Sequence, residues 1–216
     1  MQVLKKNICI NKTSDDNYID IEDNVDDCLF IQVNIKGKNN KILIHGKNKG
    51  TGKLVINLNA SNSTIKISNI CISKILSISI LPSGGGVPSS NCSVEISNNC
   101  IFNGATSFVL AENNNSIRIG NNCLFANNIS IKTSDSHYIY DLLTNERINP
   151  AKDVIIGSNV WLCENVNILK GSIISNDSVV GSNSLVVGEF KEPHIILGGI
   201  PAKKIRSNIY WRISNK

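Results

Sequence analysis

Few side chains in this chain could act as a general base near neutral pH. The sequence has three histidines, His45, His137 and His194, and imidazole is the side chain that most often transfers protons at that pH. His137 lies in the polar stretch SDSH. A buried imidazole would need hydrogen-bond partners, so we predict that the ring is exposed and serves as a catalytic base. We expect His45 and His194 to be turn residues.

Other kinds of site find little support. His137 and His194 are separated by several repeats of the chain, whereas metal ligands must all lie within about 2 Å of one ion, so we predict no metal. The sequence has no G-x-S-x-G, P-loop or G-x-G-x-x-G motif. A net charge of +5, spread along the chain, is too weak a signal for nucleic acid. It would suit anionic small ligands, such as phosphates, or an acidic polymer.

The element that must position these residues is a six-residue repeat. Large aliphatic residues recur at every sixth position, and small or β-branched residues follow each by four. The first set is Ile156, Leu162, Ile168, Ile174, Val180 and Val186, and the second is Val160, Val166, Ser172, Ser178 and Ser184. A period of six predicts a parallel β-helix in which each hexad forms one side of a coil and both sets point inward.

Trp161 lies between two positions that this pattern turns inward. Strand alternation therefore directs the indole outward, and Val179, one coil later, should lie beside it on the same face. A large exposed tryptophan indicates a contact surface. The pattern leaves open whether that surface is the wall of a ligand site, a contact between subunits or simple exposure.

We predict one all-β solenoid domain over residues 1–216. A coarser repeat extends the pattern towards the N-terminus, because Ile44, Ile67, Ile96 and Ile119 stand in similar local sequences. We therefore divide the chain into irregular N-terminal coils (1–60), regular coils (61–198) and a C-terminal cap (199–216) that contains a short helix beginning at Pro201. Residues 133–153 break the repeat, and we expect this inserted loop to carry function.

The composition indicates a cytoplasmic protein. The chain has no apolar run long enough to cross a membrane, and its first residues, MQVLKKNICINKTSDD, do not resemble a signal peptide. The seven cysteines are an odd number without paired short spacings. We therefore interpret them as small buried thiols in a reducing compartment, neither disulfide-bonded nor metal-binding.

Three stretches carry a resemblance to a known family. GSNVWLCENVNILKG, VVGSNSLVVGEF and GGIPAKKIR resemble the hexapeptide-repeat acyltransferases. The resemblance covers roughly residues 117–213. The longer stretch SDSHYIYDLLTNERINPAKDVIIGSNVWL is similar to bacterial O-acetyltransferases of sialic acid and capsular polysaccharides. This resemblance implies a left-handed parallel β-helix and a homotrimer that binds acetyl-CoA in the groove between two subunits.

The resemblance also implies roles for individual residues. His137 is then the general base, Trp161 lines the site beside the thioester, and the backbone N–H of Glu164 stabilises the oxyanion. The remaining matches lie on the implied cofactor path, namely Asp135, Cys163, Ser182, Lys191, Gly198 and Lys203. Cys163 replaces the family's turn glycine, and Gly188 stands where a lysine is frequent. Whether Asp135 orients the His137 ring stays open.

These features favour acetyl transfer to a sugar hydroxyl of a cell-surface polysaccharide, possibly one that contains sialic acid. One alternative is N-acetylation of an amino sugar on a nucleotide carrier, although no additional nucleotide-binding domain is visible in the sequence. Another is a solenoid that binds or assembles without catalysis, in which His137 would be dispensable. The sequence does not name the acceptor sugar.

Overall fold

Short parallel strands account for almost all of the regular structure. The computed structural model describes residues 6–213, and within them the only helical segment is a single 3-10 turn, Gly84–Gly86. The strands are β1 (Ile8–Lys12), β2 (Tyr18–Ile21), β3 (Phe30–Lys36), β4 (Lys41–His45), β5 (Lys53–Ser61), β6 (Thr64–Ser68), β7 (Cys71–Ile72), β8 (Ile75–Leu81), β9 (Ser89–Ser90), β10 (Ser93–Ile96), β11 (Ile101–Phe102), β12 (Ala105–Ala111), β13 (Ser116–Ile119), β14 (Leu124–Phe125), β15 (Ile129–Lys132), β16 (Val154–Ile156), β17 (Trp161–Leu162), β18 (Asn167–Ile168), β19 (Ile173–Ile174), β20 (Val179–Val180), β21 (Leu185–Val186), β22 (Glu189–Phe190), β23 (Ile196–Gly199) and β24 (Ala202–Arg206).

The strands form three sheets that wind around one core. The first sheet has the order β1-β3-β5-β8-β12-β15-β18-β21, with β9 paired to β5, and the second has the order β2-β4-β6-β10-β13-β16-β19-β22. The third has the order β7-β11-β14-β17-β20-β23-β24. From β6 to β23 the chain visits the second, third and first sheets in turn, apart from the short β9. This arrangement is the coil of a parallel β-helix.

The predicted hexads occupy the core. Every residue of both predicted sets between Ile156 and Val186 is buried, which confirms their inward direction. Further towards the N-terminus, three phenylalanines fill the interior, and the rings of Phe102 and Phe125 stack with centroids 4.5 Å apart. Aliphatic and aromatic side chains from successive coils therefore form one continuous hydrophobic cluster, and its burial stabilises the solenoid.

The coarser repeat corresponds to pairing between neighbouring coils. Ile44 pairs with Ile67, Ile67 with Ile96, and Ile96 with Ile119, in parallel register. The longer step between Ile67 and Ile96 contains the loop with the Gly84–Gly86 turn. Insertions are thus placed at the corners, where they do not disturb the stacking of the strands.

Asparagines form ladders at the corners of the coil. Asn128, Asn165 and Asn183 all have φ between 57° and 59°, a left-handed conformation that asparagine tolerates better than most residues. The amide of Asn128 donates to Asn165 over 2.9 Å, and Asn165 donates to Asn183 over 3.1 Å. The abundance of asparagine in this sequence therefore has a direct structural cause.

The predicted C-terminal helix is wrong. In its place β24 pairs antiparallel with β23, and a cis Ile200–Pro201 peptide lies in the turn between them. The buried side chain of Ala202 packs against the last coil. Pairing β24 with β23 satisfies backbone groups that the end of the solenoid would otherwise expose, which a short helix at this position would not do.

Among residues 6–213 no helix has both the length and the apolar character needed to span a membrane.

Candidate active site

The inserted loop leaves the solenoid at the corner between the first and second sheets. It begins after Lys132, where β15 ends, and returns at Val154, where β16 begins. Its outer part folds back on itself, since Tyr140 and Arg147 form an antiparallel bridge and the Ile148 N–H donates to the Ile139 carbonyl over 2.9 Å. The loop is therefore an ordered hairpin.

His137 lies at the base of this hairpin with its side chain exposed. The inward position that strict six-residue counting would assign to it is therefore not adopted. Its backbone is fixed by the buried Asn149, whose amide donates to the His137 carbonyl over 2.8 Å and accepts the Ile139 N–H over 2.7 Å. The ring thus projects from a fixed backbone into solvent, where it can meet a substrate.

Asp135 holds the loop through hydrogen bonds, none of which, within the described residues, joins it to the His137 ring. Its carboxylate accepts hydrogen bonds from the Lys170 ammonium and from Asn149, the latter over 2.9 Å. The hydrogen bond from Lys170 is the main reason that the Asp135 pKa lies below its ordinary value. The structure therefore ties Asp135 to Lys170, which is on the neighbouring coil.

A partly buried ion pair anchors the other side of the loop. The guanidinium of Arg147 lies 2.6 Å from the carboxylate of Glu112, and the Ser134 hydroxyl donates to the same carboxylate over 2.5 Å. Arg147 also stacks on the Tyr138 ring, with its guanidinium carbon 4.1 Å from the ring centroid. Burial by itself would raise the Glu112 pKa, but the bonds from Arg147 and Ser134 outweigh it, so the Glu112 pKa is lowered.

Acid is expected to loosen this loop only below the ordinary pKa of a glutamate. Because the folded Glu112 and Asp135 have lowered pKa values, their ion pairs contribute fully above the unfolded carboxyl pKa values of about 4. That contribution is lost as the pH falls through the lower folded values. Hydrogen exchange at the Ile139 and Ile148 amides, corrected for intrinsic rates, should stay protected at pH 5 and lose protection near pH 3. Loss of protection already at pH 5 would contradict this prediction.

The second group of predicted site residues lies around Trp161 on the third sheet. Trp161 is half-buried, and its strand β17 pairs with β20 so that Trp161 faces Val179, as predicted. The ring of Trp211, from the segment after β24, lies with its centroid 5.8 Å from that of Trp161 and at 42° to it. The Trp211 indole N–H donates to the Asn159 carbonyl over 2.7 Å. Two aromatic rings therefore form one wall.

Unused hydrogen-bond donors lie at the corner that follows Trp161. Within the described residues, the backbone N–H groups of Glu164 and Ser182 donate no hydrogen bond, although the Glu164 carbonyl accepts the Asn183 N–H over 2.9 Å. Cys163 is half-buried, and burial, followed by the charge of Glu164, raises its thiol pKa. Stacked free amides next to an aromatic wall can bind a polarised carbonyl oxygen.

The remaining predicted contacts lie towards the C-terminal end. Gly198 pairs with Lys203 across the β23–β24 turn, and a Cβ at Gly198 would come within 2.5 Å of the Ile205 side chain. Lys203 is exposed and forms no ion pair within residues 6–213, whereas Lys191 lies 2.5 Å from Glu189. Of the two lysines, Lys203 is thus the one with an unneutralised charge.

The structure does not bring His137 and Trp161 together within one chain. His137 projects from the corner between the first and second sheets, whereas Trp161 lies on the third sheet. The other two histidines lie apart from both groups. His45 ends β4 and contacts Asp20 over 3.0 Å, so it is a strand residue and not the predicted turn residue, while His194 has φ 58°.

No group of three or more His, Cys, Asp or Glu side chains in the described part of the chain is arranged to hold a metal ion.

Several residues of the site were not identified from the sequence. Glu112, Asn149 and Lys170 fix the loop, but they belong to three separate stretches that only the folding of the solenoid brings together. The sequence gives only a weak indication that Trp211 belongs to the site, namely that it is one of only two tryptophans in the chain. Its contact with Trp161 depends on the path of the C-terminal segment, which the repeat does not predict.

Comparison with known proteins places this architecture in a family. No protein-family model matches the chain. It is 35% identical over 91 residues to the polysialic acid O-acetyltransferase of Escherichia coli O1:K1, covering 42% of this chain and 29% of that protein. It is 38% identical over 86 residues to the enzyme of the same name from Neisseria meningitidis, covering 40% of each. The chain thus matches less than half the length of these curated relatives.

Solved structures match over a longer span. The polysialic acid O-acetyltransferase OatWY superposes with a TM-score of 0.76 at 30% identity, covering 97% of this chain and 92% of that one. The polysialic-acid-specific acetyltransferase NeuO superposes with a TM-score of 0.76 at 26% identity, covering 99% and 85%.

The three-sheet solenoid with its looped histidine therefore defines a hexapeptide-repeat acyltransferase, and the chain belongs to that family. Its fold is accordingly the parallel β-helix predicted from the hexads, with the left hand that the resemblance implies. The relative that establishes the family is the polysialic acid O-acetyltransferase OatWY, which this chain matches over almost the full length of both.

Proposed function

We propose that this protein transfers an acetyl group from acetyl-CoA to a hydroxyl of a bacterial cell-surface polysaccharide, one that contains sialic acid. The observation that carries the proposal is the fixed, exposed His137 on the loop of a solenoid that superposes over almost its whole length on the polysialic acid O-acetyltransferase OatWY. The acceptor class is taken from these relatives, which are named as acting on polysialic acid. The chemical roles are assigned from the residues of this chain.

In the proposed mechanism His137 acts as general base. It removes the proton from the sugar hydroxyl as the oxygen attacks the thioester carbonyl, and it later gives that proton to the departing sulfur. Acetyl-CoA supplies the activated acyl group as co-substrate. The free N–H of Glu164 would donate to the oxyanion that forms at this carbonyl.

The corner beyond Trp161 fits the cofactor. Trp161 and Trp211 offer an apolar wall, and the unpaired Ser182 N–H offers a hydrogen-bond donor to an extended chain. The Ile205 side chain occupies the space beside Gly198, so we assign no cofactor contact to that glycine. Lys203, which has no ion-pair partner in the described part of the chain, supplies positive charge for phosphates. We place Asp135 outside the cofactor site because its carboxylate is bound to Lys170 and Asn149.

We further propose that the working enzyme is a homotrimer with its sites between subunits. Within one chain, His137 and Trp161 lie on different sides of the solenoid. A complete site therefore requires the loop of one subunit to approach the third sheet of another. The loop also exposes apolar side chains at its tip, where Leu142 is 96% and Leu143 is 93% exposed. Side chains of this kind are typical of a surface that another protein covers.

The test is transfer of isotope-labelled acetyl from acetyl-CoA to a panel of polysaccharides. We expect label to appear in a sialic-acid-containing polymer and to be released by mild base, as an ester would be. Label that resists mild base would indicate an amide and favour N-acetylation. Failure to bind acetyl-CoA, together with no transfer to any glycan, would refute the proposal. Label in the glycan should be followed directly, because the seven cysteines would interfere with assays of released thiol.

A further inference from the structure

The outer face of the first sheet carries two adjoining depressions that begin beside the loop. One, of about 480 Å³, is lined by Lys132, Ser134, Asp135, Ser136 and neighbouring apolar residues, so its wall ends one residue before His137. The other, of about 210 Å³, is lined by Asn34, Lys36, Asn57, Asn59 and their neighbours. Leu81 lines both. Together they form a groove, which we call the acceptor groove.

The acceptor groove is longer than a single sugar needs. It crosses the strands β3, β5, β8, β12 and β15, which are consecutive in the first sheet. Because neighbouring strands lie about 4.8 Å apart, the four steps span roughly 19 Å. It runs along the solenoid axis, away from the loop and towards the N-terminal coils. A shape of this kind fits an extended polymer.

The floor of the groove offers hydrogen-bond donors that the protein leaves unused. Asn11 donates to Asn34 over 3.0 Å, and Asn34 donates to Asn57 over 2.9 Å. The ladder ends at Asn57, whose side-chain amide donates no hydrogen bond within the described residues. The side-chain amide of Asn59 likewise forms no hydrogen bond within them. Both residues are half-buried. A ligand with hydroxyl and carboxylate oxygens would satisfy them.

The charge along the groove has one sign. Lys36 and Lys132 line it and form no ion pair within residues 6–213, and its one carboxylate, Asp135, is neutralised by Lys170. The surrounding coils are also cationic, because residues 28–94 contain eight lysines and no aspartate or glutamate. An unneutralised cationic surface of this kind attracts a polyanion.

We infer that the acceptor groove binds an extended anionic polysaccharide and delivers its hydroxyls to His137. This inference rests on the proposed function for the direction of the chain towards the loop, but binding itself does not depend on catalysis. Lys36 and Lys132 would pair with carboxylates of the polymer, while Asn57 and Asn59 would donate to its oxygens. The enzyme would then prefer long acceptors because they reach the lysine at the far end of the groove.

The test measures binding of the intact protein to polysialic acid, to sialic acid monomer, to neutral dextran and to a DNA duplex. The groove variant is Lys36→Gln/Asn59→Ala/Lys132→Gln. The control is Lys66→Gln/Lys74→Gln, which removes two exposed lysines outside the groove that lack ion pairs in the described chain. We expect the groove variant to raise the Kd for polysialic acid roughly tenfold to a hundredfold, as three lost polar contacts would, and the control to leave it nearly unchanged.

The other outcomes are equally decisive. Equal weakening in both variants would show that only net charge matters, and it would overturn the inference. So would equal affinity of the wild-type protein for monomer and polymer, or an affinity for DNA that matches that for polysialic acid. If the wild-type protein binds the polymer through the groove but transfers no acetyl group to it, the groove stands and the proposed function fails.

Discussion

Replacing His137 with alanine is expected to reduce the turnover rate of acetyl transfer by roughly a hundredfold to ten-thousandfold, the range for loss of a general base. The imidazole is exposed and forms no hydrogen bond within the described residues, while the backbone around it is fixed by Asn149. Its removal should therefore leave the fold and acetyl-CoA binding intact. The measurement is steady-state transfer to a polysaccharide, with the thermal midpoint and cofactor affinity recorded in parallel.

The matched control is His45→Ala, since His45 lies on the second sheet and contacts Asp20. It should transfer acetyl at close to the wild-type rate. If His137→Ala retained most of its activity while His45→Ala did not, the assignment of the base would be wrong. Loss of activity accompanied by loss of folding in His137→Ala would indicate a structural role for the ring.

Asn149→Ala is expected to lower turnover by about tenfold or more and to destabilise the loop, although Asn149 need not touch either substrate. Its side chain donates to the His137 carbonyl and to Asp135, and it accepts the Ile139 N–H. Truncation removes the hydrogen bonds to the His137 carbonyl and from the Ile139 N–H at a part-buried position, which costs roughly 0.5–1.5 kcal/mol for each, while Asp135 keeps its bond from Lys170. His137 would then sample several positions, and few of them would be productive.

A positioning role predicts a specific pattern of results. Turnover should fall while the affinity for acetyl-CoA stays unchanged, and exchange at the Ile139 amide should become faster. Thr144→Ala serves as control in the same loop, because Thr144 is exposed and its hydroxyl interacts at the tip of the hairpin, where it accepts the Glu146 N–H over 3.3 Å and hydrogen-bonds with the Asp141 carboxylate. Wild-type turnover in Asn149→Ala, or equal loss in Thr144→Ala, would contradict the assignment.

The fold was predictable because its information is local and repeated. A large aliphatic residue at every sixth position fixes which side chains point inward, and the same spacing fixes the strand register, as the Trp161–Val179 pair confirms. The pairing of Ile44, Ile67, Ile96 and Ile119 extends this to longer coils. Because the hexad recurs many times, one sequence contains enough examples of the pattern to predict the geometry of the coils.

The residues that hold the site in place were not predictable, because they are not part of the repeat. The Glu112–Arg147 pair joins residues on either side of the loop's origin, and nothing periodic marks either partner. The C-terminal segment is likewise outside the repeat, where Pro201, shortly after Gly198 and Gly199, predicts the start of a helix. The structure has a strand pair there and a Trp211–Trp161 contact. Where the sequence stops repeating, tertiary contacts decide the outcome.

The placement of the cysteines has a practical consequence for following the protein's integrity. Cys9 and Cys28 are exposed near the N-terminal end, whereas Cys92, Cys100 and Cys123 are buried in the middle coils. Burial also raises the pKa of Cys92 to about 11, so this thiol is scarcely ionised at neutral pH. An alkylating reagent applied to the native protein should therefore label the two exposed thiols first. Later labelling of the three buried thiols would report when the central coils open. The rate of labelling at each cysteine would thus measure local opening at a known position along the solenoid axis.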